Sequence, residues 1–378
     1  MSQVSDPIIQ FLKENNKYLR NPDETDRVFS KGRKIEVVYA VVSKGIPLFR
    51  TEGVGDVSQL DINIGGKVIS VPTILPEKIQ AKLRRRMLEI LRNNNPDNNT
   101  LTKYAQLGFK KINDNNGIKS WNCYVAPPGS EGGTDIGLCG YCPSCNILGS
   151  IITDDELKIP GSEDELGTAY GLKSRVVHDP AFGTTTYKDA VVELTHNKVG
   201  DGVSYTGMSL FQESHVVPGV VFIGKLAMYD VTELEAKLVL SSLSSISRMG
   251  GGETKYGSVQ VIILGLNASD RETVSSYDIT RYVIQKTEGK LVSPEDVIKL
   301  AIDYLKNIKS FKILADPNKK IDQQNIQINI SSDEIVTLWA RDNYNYSSAV
   351  VNYIKEVEGK SKGSQKVEGK EKKGSRKK

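Results

Sequence analysis

The amino-acid sequence predicts an α+β protein of two or more compact units. Runs of β-branched residues that are typical of buried strands occur together with segments whose apolar side chains recur at helical spacing. A stretch rich in Gly, Pro, Asn and Asp, from residue 93 to about residue 170, resembles an insertion. The 378 residues are about two and a half times a 150-residue domain, and 38% hydrophobic residues can form a packed core.

Four runs of hydrophobic residues predict strands. The first, residues 35–43, is nearly continuous in β-branched residues, which is the pattern of a core strand buried on both faces. The others cover residues 189–196, 219–230 and 259–266. Between the second and third runs lies a Gly-rich excursion, residues 197–219.

A helix from Pro76 to Arg92 is predicted to have one apolar and one basic face. At about 100° per residue, its apolar residues occupy one arc: Ile79, Leu83, Met87 and Ile90. Its basic residues occupy another: Lys78, Lys82, Arg85 and Arg92. A basic face can contact an anionic partner, and it is equally typical of an ordinary solvated surface.

Three further helices are predicted. Asp230-Val-Thr-Glu233 resembles a capping box that begins a helix through Ile246. Ser293 and Pro294 suit the cap and the first position of the next helix. A last helix is predicted over much of residues 332–356, and the Lys-rich residues that follow lack apolar periodicity, which predicts disorder.

The charge of the chain is divided unevenly. Residues 355–378 contain ten Lys or Arg and four Glu, a net of +6, whereas the whole chain has 50 basic and 46 acidic residues. Residues 1–354 therefore keep 40 basic and 42 acidic residues, a net of −2. A polyanion would have to bind the folded part through a local cluster of cations.

The sequence predicts a cytoplasmic protein with no membrane partner. Its longest apolar run, residues 259–266, is far shorter than the roughly 20 residues that cross a bilayer, and its first residues lack a signal-peptide pattern. Four cysteines form no disulfide framework in a chain of 378 residues, which favours a reducing compartment and a metal site.

Three of the four cysteines lie within seven positions and predict that metal site. Cys139, Cys142 and Cys145 are separated by two residues each, and Cys123 lies sixteen positions before the first. A Cys-x-x-Cys turn directs both sulfurs to one point, and Zn²⁺ prefers four such ligands, so structural zinc with Cys123 as fourth ligand is the leading interpretation. The histidines are alternative fourth ligands: His178, His196 and His215. An iron–sulfur cluster and free thiols are the alternatives to zinc.

A Gly-rich loop separates a predicted helix from a predicted strand, with the sequence Gly250-Gly251-Gly252-Glu253-Thr254-Lys255-Tyr256-Gly257. Glycines let the backbone approach a phosphate closely, and Arg248 and Lys255 add positive charge. The alternative interpretation is a flexible connection. Because the loop lacks the GKS or GKT ending of a P-loop, nucleotide hydrolysis is not indicated.

Asp56 and Asp61 are catalytic candidates in the predicted loop after the first strand. Such carboxylates can hold a metal ion for phosphodiester cleavage, and they are also common as plain turn residues. The three histidines lie in scattered contexts, so no Ser-His-Asp triad is indicated.

The order of these elements resembles the RAMP superfamily of CRISPR-associated proteins. The shared order is a first core strand, a Gly-rich loop, a basic helix, an inserted module, a hairpin-like excursion ending in VVPGVVF, a helix, a GGG-x4-G loop and a final strand. The segments GLCGYCPSC and RVVHDPAFGTTTY are similar to the backbone subunit of type I-D effector complexes, which are Cascade-like. The resemblance covers about residues 30–355.

This resemblance implies a ferredoxin-like palm of the RNA-recognition type, with an inserted zinc-binding module, a thumb hairpin and C-terminal helices. The implied domains are an N-terminal extension (1–29), the palm with its helical C-terminal part (30–110 and 217–355), the Cys-rich insertion (111–170), the thumb (171–216) and a disordered Lys-rich tail (356–378).

The resemblance also implies a binding function. Copies of the chain would assemble with other effector-complex subunits into a helical filament along a CRISPR RNA and present this guide for pairing with target DNA. Contacts to the guide backbone leave its base edges free for pairing. The implied RNA-binding residues are Lys78, Lys82, Arg85, Arg248, Gly250, Gly251, Gly252 and Lys255. The implied wedge of the thumb between stacked bases consists of Met208, Leu210 and Phe211, for which core packing is the alternative.

Two other functions are alternatives. Related backbone subunits of type III complexes cut the paired single-stranded target at regular intervals, which in this chain would require Mg²⁺ at Asp56 or Asp61. The third interpretation is an unrelated, zinc-stabilised RNA-binding protein that works alone.

Overall fold

A computed structural model describes residues 7–24, 29–50, 56–109, 113–114, 117–118, 121, 123–125, 137–152, 170–199, 206–251, 255–324 and 328–357. The chain divides into two compact units. The first, which we call the sheet unit, consists of Met1–Leu19, Gly32–Met87 and Val176–Ile330. The second, the cysteine unit, consists of Arg20–Lys31, Leu88–Arg175 and Ser331–Lys378.

The strands are numbered in chain order: β1 (Lys34–Ser43), β2 (Gln59–Ile64), β3 (Lys67–Ile74), β4 (Asn113–Asp114), β5 (Gly117–Ile118), β6 (Ser150–Ile152), β7 (Tyr170–Leu172), β8 (Val176–His178), β9 (Ala181–Gly183), β10 (Val191–Val199), β11 (Thr206–Val216), β12 (Val221–Tyr229), β13 (Val259–Ser269) and β14 (Lys312–Ile313). Strands β4 to β7 belong to the cysteine unit, and the others belong to the sheet unit.

The helices are α1 (Pro7–Glu14), α2 (Pro76–Arg92), α3 (Asn98–Gln106), α4 (Pro143–Leu148), α5 (Tyr187–Ala190), α6 (Glu233–Ser244), α7 (Ser276–Thr287), α8 (Pro294–Lys306) and α9 (Ser332–Thr337). Helix α9 continues through a π-helical turn, Leu338–Asn343, into a helix over residues 344–357. In the described part of the chain, no helix combines the length and the hydropathy needed to cross a membrane.

The sheet unit is built on an antiparallel sheet of eight strands among the described residues. Their order is β14-β13-β1-β12-β9-β3-β2, and β8 also pairs with β12. The central strand β1 pairs with β12 from Lys34 to Val42 and with β13 from Lys34 to Ser43. Strands β10 and β11 form a separate antiparallel hairpin of the same unit.

Strand β1 is covered on both faces, which confirms the prediction for its sequence. Val38, Ala40 and Val42 belong to a core that also contains residues of α7 and α8. Their alternates Val37 and Val41 are fully buried as well. Because successive side chains of a strand point to opposite faces, this burial requires packing on both sides of the sheet.

The other predicted strands and helices are confirmed as β10, β12, β13, α2, α6 and α8, with small differences at their ends. The predicted start of α6 is wrong by two residues, because the capping box is formed by Thr232 and Glu235. Asp230 has a positive φ of 47°, and its carboxylate instead accepts a hydrogen bond from Arg33 at 2.7 Å. Ser293 caps α8 as predicted.

The cysteine unit has short strands and a core of aromatic rings. The ring centre of Tyr104 lies 5.6 Å from that of Tyr141 and 5.9 Å from that of Trp339. Trp121 packs against Trp339 at 5.3 Å. The helix predicted over residues 332–356 is confirmed, but the π-helical turn within it is a feature that the apolar pattern did not predict.

Candidate metal centre and nucleic-acid interface

The four cysteines of the cysteine unit converge on one buried point. Their sulfur atoms all lie within 4.8 Å of one another. Cys145 Sγ is 3.7 Å from Cys123 Sγ and 3.9 Å from Cys139 Sγ. In a tetrahedral site with Zn–S bonds of about 2.3 Å, neighbouring sulfurs are separated by about 3.8 Å, so the cluster has the dimensions of a closed metal site.

Backbone amides fix the orientation of these sulfurs. The Cys142 amide donates to Cys139 Sγ at 3.3 Å, and the Cys145 amide donates to Cys142 Sγ at 3.4 Å. The second of these bonds caps the start of α4. The Cys139 amide donates to Cys123 Sγ at 3.4 Å, which joins the distant cysteine to the other three. Hydrogen bonds to sulfur favour the thiolate form, which is the form that binds a metal.

The donor set fits a metal ion better than free thiols. Burial raises the pKa of the Cys139 and Cys142 thiols well above its usual range, so thiolates form here only if a cation compensates their charge. Of the described residues, only the four cysteines form a group of potential ligands close enough for one ion. His178 and His215 are outside this group, and the side chain of His196 lies outside the described residues.

A buried network of hydrogen bonds joins the cysteine loop, residues 139–146, to the C-terminal helical segment. Asn343, in the π-helical turn, donates to the Tyr141 carbonyl at 2.6 Å and to the Tyr104 hydroxyl at 2.8 Å. Asn146 donates to Asn343 Oδ1 at 2.5 Å and to Ser347 Oγ at 2.9 Å. Tyr141 lies between Cys139 and Cys142, and Asn146 directly follows Cys145. The C-terminal helical segment, which contributes Asn343 and Ser347, therefore holds the loop that carries the cysteines. Sequence reasoning missed this network.

In the sheet unit, three segments meet where β1 ends. The amides of Lys44 and Gly45, just after β1, both donate to the Ser258 carbonyl at 3.0 Å. The Gly251 amide donates to the Leu48 carbonyl at 2.8 Å. The predicted Gly-rich loop is therefore bonded to the loop that follows the first strand.

Glycine is required at position 250. Its φ is +102°, and a Cβ atom there would lie 2.7 Å from the Leu48 carbonyl oxygen. Gly251 has an ordinary φ, and an added Cβ would lie 3.5 Å from Arg50 Nε. Gly252 lies outside the described residues.

The base of the β10–β11 hairpin is the third segment at this site. His215 Nδ1 lies 2.8 Å from the Ile46 carbonyl oxygen, and its ring packs edge-on against Tyr256 of the Gly-rich loop at 5.3 Å. Arg50 forms an ion pair with Glu213 at 3.2 Å. These contacts fix the direction in which the hairpin leaves the sheet.

Two exposed cations flank the Gly-rich loop at this meeting point, and further cations lie on α2. Arg248 and Lys255 are exposed at the two ends of the Gly-rich loop. On α2, Arg85 is exposed, and Lys78 and Lys82 are half-buried. Arg86 Nε donates to Ser245 Oγ at 2.8 Å, which ties α2 to the end of α6 three residues before Arg248. The basic helix and the Gly-rich loop are thus joined through α6.

The remaining predicted residues are placed as follows. Met208, Leu210 and Phe211 lie on β11, and their side chains are outside the described residues. Asp61 lies in β2 and accepts a hydrogen bond from Ser70 at 2.6 Å, so its predicted position in a loop is wrong. Asp56 precedes β2 and accepts from Ser214 at 3.1 Å. Neither aspartate belongs to a group of three or more potential metal ligands among the described residues.

The chain is similar to a known protein family and to solved structures. A family model described as Csc2 Crispr matches residues 15–346. The solved structure titled "Crystal structure of Thermofilum pendens Csc2" is 31% identical, has a TM-score of 0.69, and the match covers 91% of this chain and 95% of that chain. No curated protein matches this sequence.

Two matches are more distant. A chain of a structure titled "Type IV-B CRISPR Complex" is 11% identical with a TM-score of 0.35, over 61% of this chain and 90% of that chain. A chain of a structure titled "CRISPR RNA-guided surveillance complex" is 9% identical with a TM-score of 0.43, over 81% of this chain and 98% of that chain.

Proposed function

Because the chain belongs to the Csc2 CRISPR family, we propose that it is the backbone subunit of a type I-D effector complex and binds the guide RNA. The observation that carries this proposal is the meeting of three segments at the end of β1. There a close-packed glycine, exposed cations and the base of a projecting hairpin lie together. Such a surface can hold phosphates without reading bases.

We propose that the palm is the part of the sheet formed by β13, β1, β12 and β9. Along the chain, α2 lies between β1 and β9, and α6 lies between β12 and β13. This β-α-β-β-α-β order with antiparallel neighbours is that of a ferredoxin-like domain. The β10–β11 hairpin lies between β9 and β12 in the chain and is the proposed thumb.

The proposed RNA contacts follow from this arrangement. Arg248 and Lys255 on the Gly-rich loop, and the basic residues of α2, would bind successive phosphates. Because Gly250 has no Cβ, the Gly-rich loop can pack against the Leu48 backbone. The opposite side of the loop would then contact the RNA backbone. This function has three further proposed parts. Residues of β11 would form the wedge that separates stacked bases, and copies of the subunit would form a filament along the guide. The guide would then pair with target DNA.

For the metal centre we propose zinc, held by Cys123, Cys139, Cys142 and Cys145. A closed set of four thiolates suits a structural rather than a catalytic role, because no ligand position is left for water or substrate. Bound zinc would supply the charge compensation that the buried thiolates require.

The RNA proposal is tested by the double variant Arg248→Ala, Lys255→Ala. Removing two phosphate contacts should lower affinity for guide-length RNA, and the salt slope of log K should fall by about 1.4. The measurement is fluorescence anisotropy over a salt series. Lys13→Ala with Lys103→Ala removes the same charge from exposed positions elsewhere and is the matched control. Equal slopes for the two double variants would contradict the assignment of the RNA site.

The filament proposal has its own measurement. A filament subunit should bind RNA in copy numbers that rise with RNA length, and native mass spectrometry on RNAs of graded length counts the copies. A constant single copy on every RNA would favour a protein that works alone.

A further inference from the structure

Strand β2 forms one edge of the eight-stranded sheet and pairs, among the described strands, with β3 alone. The turn between them consists of Gly65 and Gly66, with φ values of 59° and 92°, so Ile64 and Lys67 form the hydrogen-bonded pair that closes it. In an antiparallel ladder, hydrogen-bonded pairs alternate with pairs whose backbone groups point away from each other. The residues of β2 that point their amides and carbonyls outwards are Gln59, Asp61 and Asn63.

Two contacts support this direction. The Asn63 amide donates to the Tyr277 hydroxyl at 3.0 Å, so it points away from β3. Pro72 stands opposite Gln59, at a position where β3 needs no donor towards β2. In the described part of the chain, no hydrogen bond occupies the outward backbone groups of Gln59 and Asp61. We call the outer side of residues 59–61 the open edge.

The opposite edge of the same sheet is covered. There β14 pairs with Gly265 and Leu266 of β13, and the Leu314 amide donates to the Leu264 carbonyl at 3.0 Å. Proteins also protect an edge strand with Lys, with Pro or with a bulge. The six residues Gln59–Ile64 include neither Lys nor Pro, and their register with β3 is continuous. An edge strand without these protections is suited to pair with another polypeptide.

The side chains of the open edge define the chemistry of its partner. Asp61 is exposed, accepts a hydrogen bond from Ser70 at 2.6 Å, and forms no ion pair with a described residue. Leu60 is 37% exposed on the other face of the strand. An added strand places one side chain directly opposite each residue of β2. A basic side chain opposite Asp61 would compensate its charge, and an apolar side chain opposite Leu60 would cover it.

A second copy of β2 complements this edge less well. The antiparallel pairing of two open edges is centred on Leu60 and places Asp61 of each copy opposite Gln59 of the other. Both carboxylates would then stay without a cation. Because opposite charges across a strand pair are stabilising, a partner strand with a basic residue fits better.

We propose that the open edge binds an extended segment of a partner protein by strand addition, with a Lys or Arg side chain opposite Asp61 and an apolar side chain opposite Leu60. The proposal goes beyond guide binding and does not depend on it. It gives the exposed Asp61 a role that the RNA proposal leaves unassigned.

The test uses two labelled peptides, STVKVTS and STVEVTS, and fluorescence anisotropy with the full-length protein. Each peptide has a palindromic sequence, so it presents the same side chains in a parallel and in an antiparallel pairing. The wild type should bind STVKVTS about three- to tenfold more tightly than STVEVTS, because opposite charges across a strand pair attract and like charges repel. Asp61→Lys should reverse this preference. Bound STVKVTS should also slow hydrogen exchange of the Gln59 and Asp61 amides.

A second pair of variants tests the backbone contact. Gln59→Pro removes one outward N–H and keeps the ladder to β3, so it should weaken binding of STVKVTS about threefold or more. Gln59→Ala keeps the N–H and should bind this peptide like the wild type. Far-UV circular dichroism checks that each variant keeps its fold.

Four results would overturn the proposal. The first is an equal peptide preference of the wild type and Asp61→Lys, and the second is no binding of either peptide below about 1 mM. The third is slower exchange in residues other than 59–61, which would place the peptide on another surface. The fourth is a wild-type dimer in sedimentation velocity that Gln59→Pro dissociates, which would assign the open edge to a second copy of the chain.

Discussion

The two units of this protein are stabilised in different ways. The sheet unit has three long strands, β1, β12 and β13, at the centre of its sheet, and its core is a large set of mostly aliphatic side chains between the sheet and helices α7 and α8. The cysteine unit has described strands of two or three residues, and its interior combines four thiols, aromatic rings and hydrogen-bonded amides. The first can fold on its hydrophobic core, whereas the second requires specific partners for its buried polar groups.

This difference can be tested because the two tryptophans of the chain, Trp121 and Trp339, both lie in the cysteine unit. Tryptophan fluorescence therefore reports on the cysteine unit alone. Hydrogen exchange of peptides from β1, β12 and β13 reports on the sheet unit.

Metal removal is expected to have the largest effect. Chelation, or Cys142→Ser, should remove the bound metal and unfold the cysteine unit, because a structural zinc supplies about 10 kcal/mol or more of folding free energy. Hydrogen exchange should become fast in residues 137–152 and 331–357 and stay slow in β1. Elemental analysis of the untreated protein measures the metal.

Readdition of zinc to the chelated wild type is the control, and it should restore the fluorescence, whereas Cys142→Ser should not respond. Equal loss of exchange protection in both units would mean that the metal stabilises the whole chain. A wild type that contains neither zinc nor iron would exclude the metal centre.

The second prediction concerns Lys225, a buried lysine on β12 that contacts three carboxylates. Lys225 Nζ lies 3.6 Å from Asp179 and 3.9 Å from Glu36, and it pairs with Glu272. Lys225→Met would leave the fully buried Glu36 without its cation, and it should destabilise the sheet unit by about 3–5 kcal/mol.

Urea unfolding followed by circular dichroism measures the loss. The matched control is Lys34→Met on β1, whose exposed ammonium donates to the Asp270 carbonyl at 2.6 Å and should contribute about 1 kcal/mol or less. If the two methionine variants were equally stable, the buried charges would not matter to the sheet unit.

The third prediction separates the polar network of the cysteine unit from its metal. Asn343→Leu removes the donors to Tyr141 and Tyr104 and one of the acceptors of Asn146, which keeps Ser347 Oγ as a partner. It should cost the cysteine unit about 2–3 kcal/mol and speed the transfer of metal to a competing chelator, while the metal content stays at the wild-type value. Asn307→Leu, at the exposed end of α8, is the control. An unchanged transfer rate would show that the network does not support the metal site.

Sequence patterns predicted the features that depend on residues close together along the chain. The three clustered cysteines and the continuous β1 run are of this kind, and the fold confirms both. The support of the cysteine loop was missed because Asn146 and Asn343 are 197 residues apart, and no local spacing links them. The meeting of the Gly-rich loop with Leu48 is equally non-local.

Two misses had a local signal. The Gly-rich stretch after β1 predicts a loop, but Gly65 and Gly66 take φ values of 59° and 92° and turn it into the β2–β3 hairpin, which contains Asp61. Helix α7 was not predicted, although Ser275 caps it. A two-residue glycine turn and a serine cap are short patterns, and the sequence around them was too polar for its periodicity to reveal either element.

The smallest expected effect depends on pH and belongs to the sheet unit. His178 is buried on β8, and neither ring nitrogen has a hydrogen-bond partner among the described residues. Burial lowers the pKa of His178 to about 4 from its usual value of 6.5. Between these two pH values the unfolded chain binds a proton that the folded chain does not, so stability rises with pH in this window and is lost as the pH falls.

At pH 5, His178 should make the sheet unit about 2 kcal/mol less stable than at pH 7. His178→Leu removes the titrating group and both unsatisfied nitrogens, so its unfolding free energy should vary less with pH and be at least as high at pH 5 as that of the wild type. Urea unfolding followed by circular dichroism at several pH values gives the difference between the two proteins, in which the contributions of the other titrating groups cancel. Parallel pH profiles for wild type and variant would mean that His178 has the same pKa in the folded and the unfolded chain, which would contradict this prediction. A divergence that begins near pH 6.5 and levels off near pH 4 would instead identify the buried imidazole as the group that limits the acid stability of this unit.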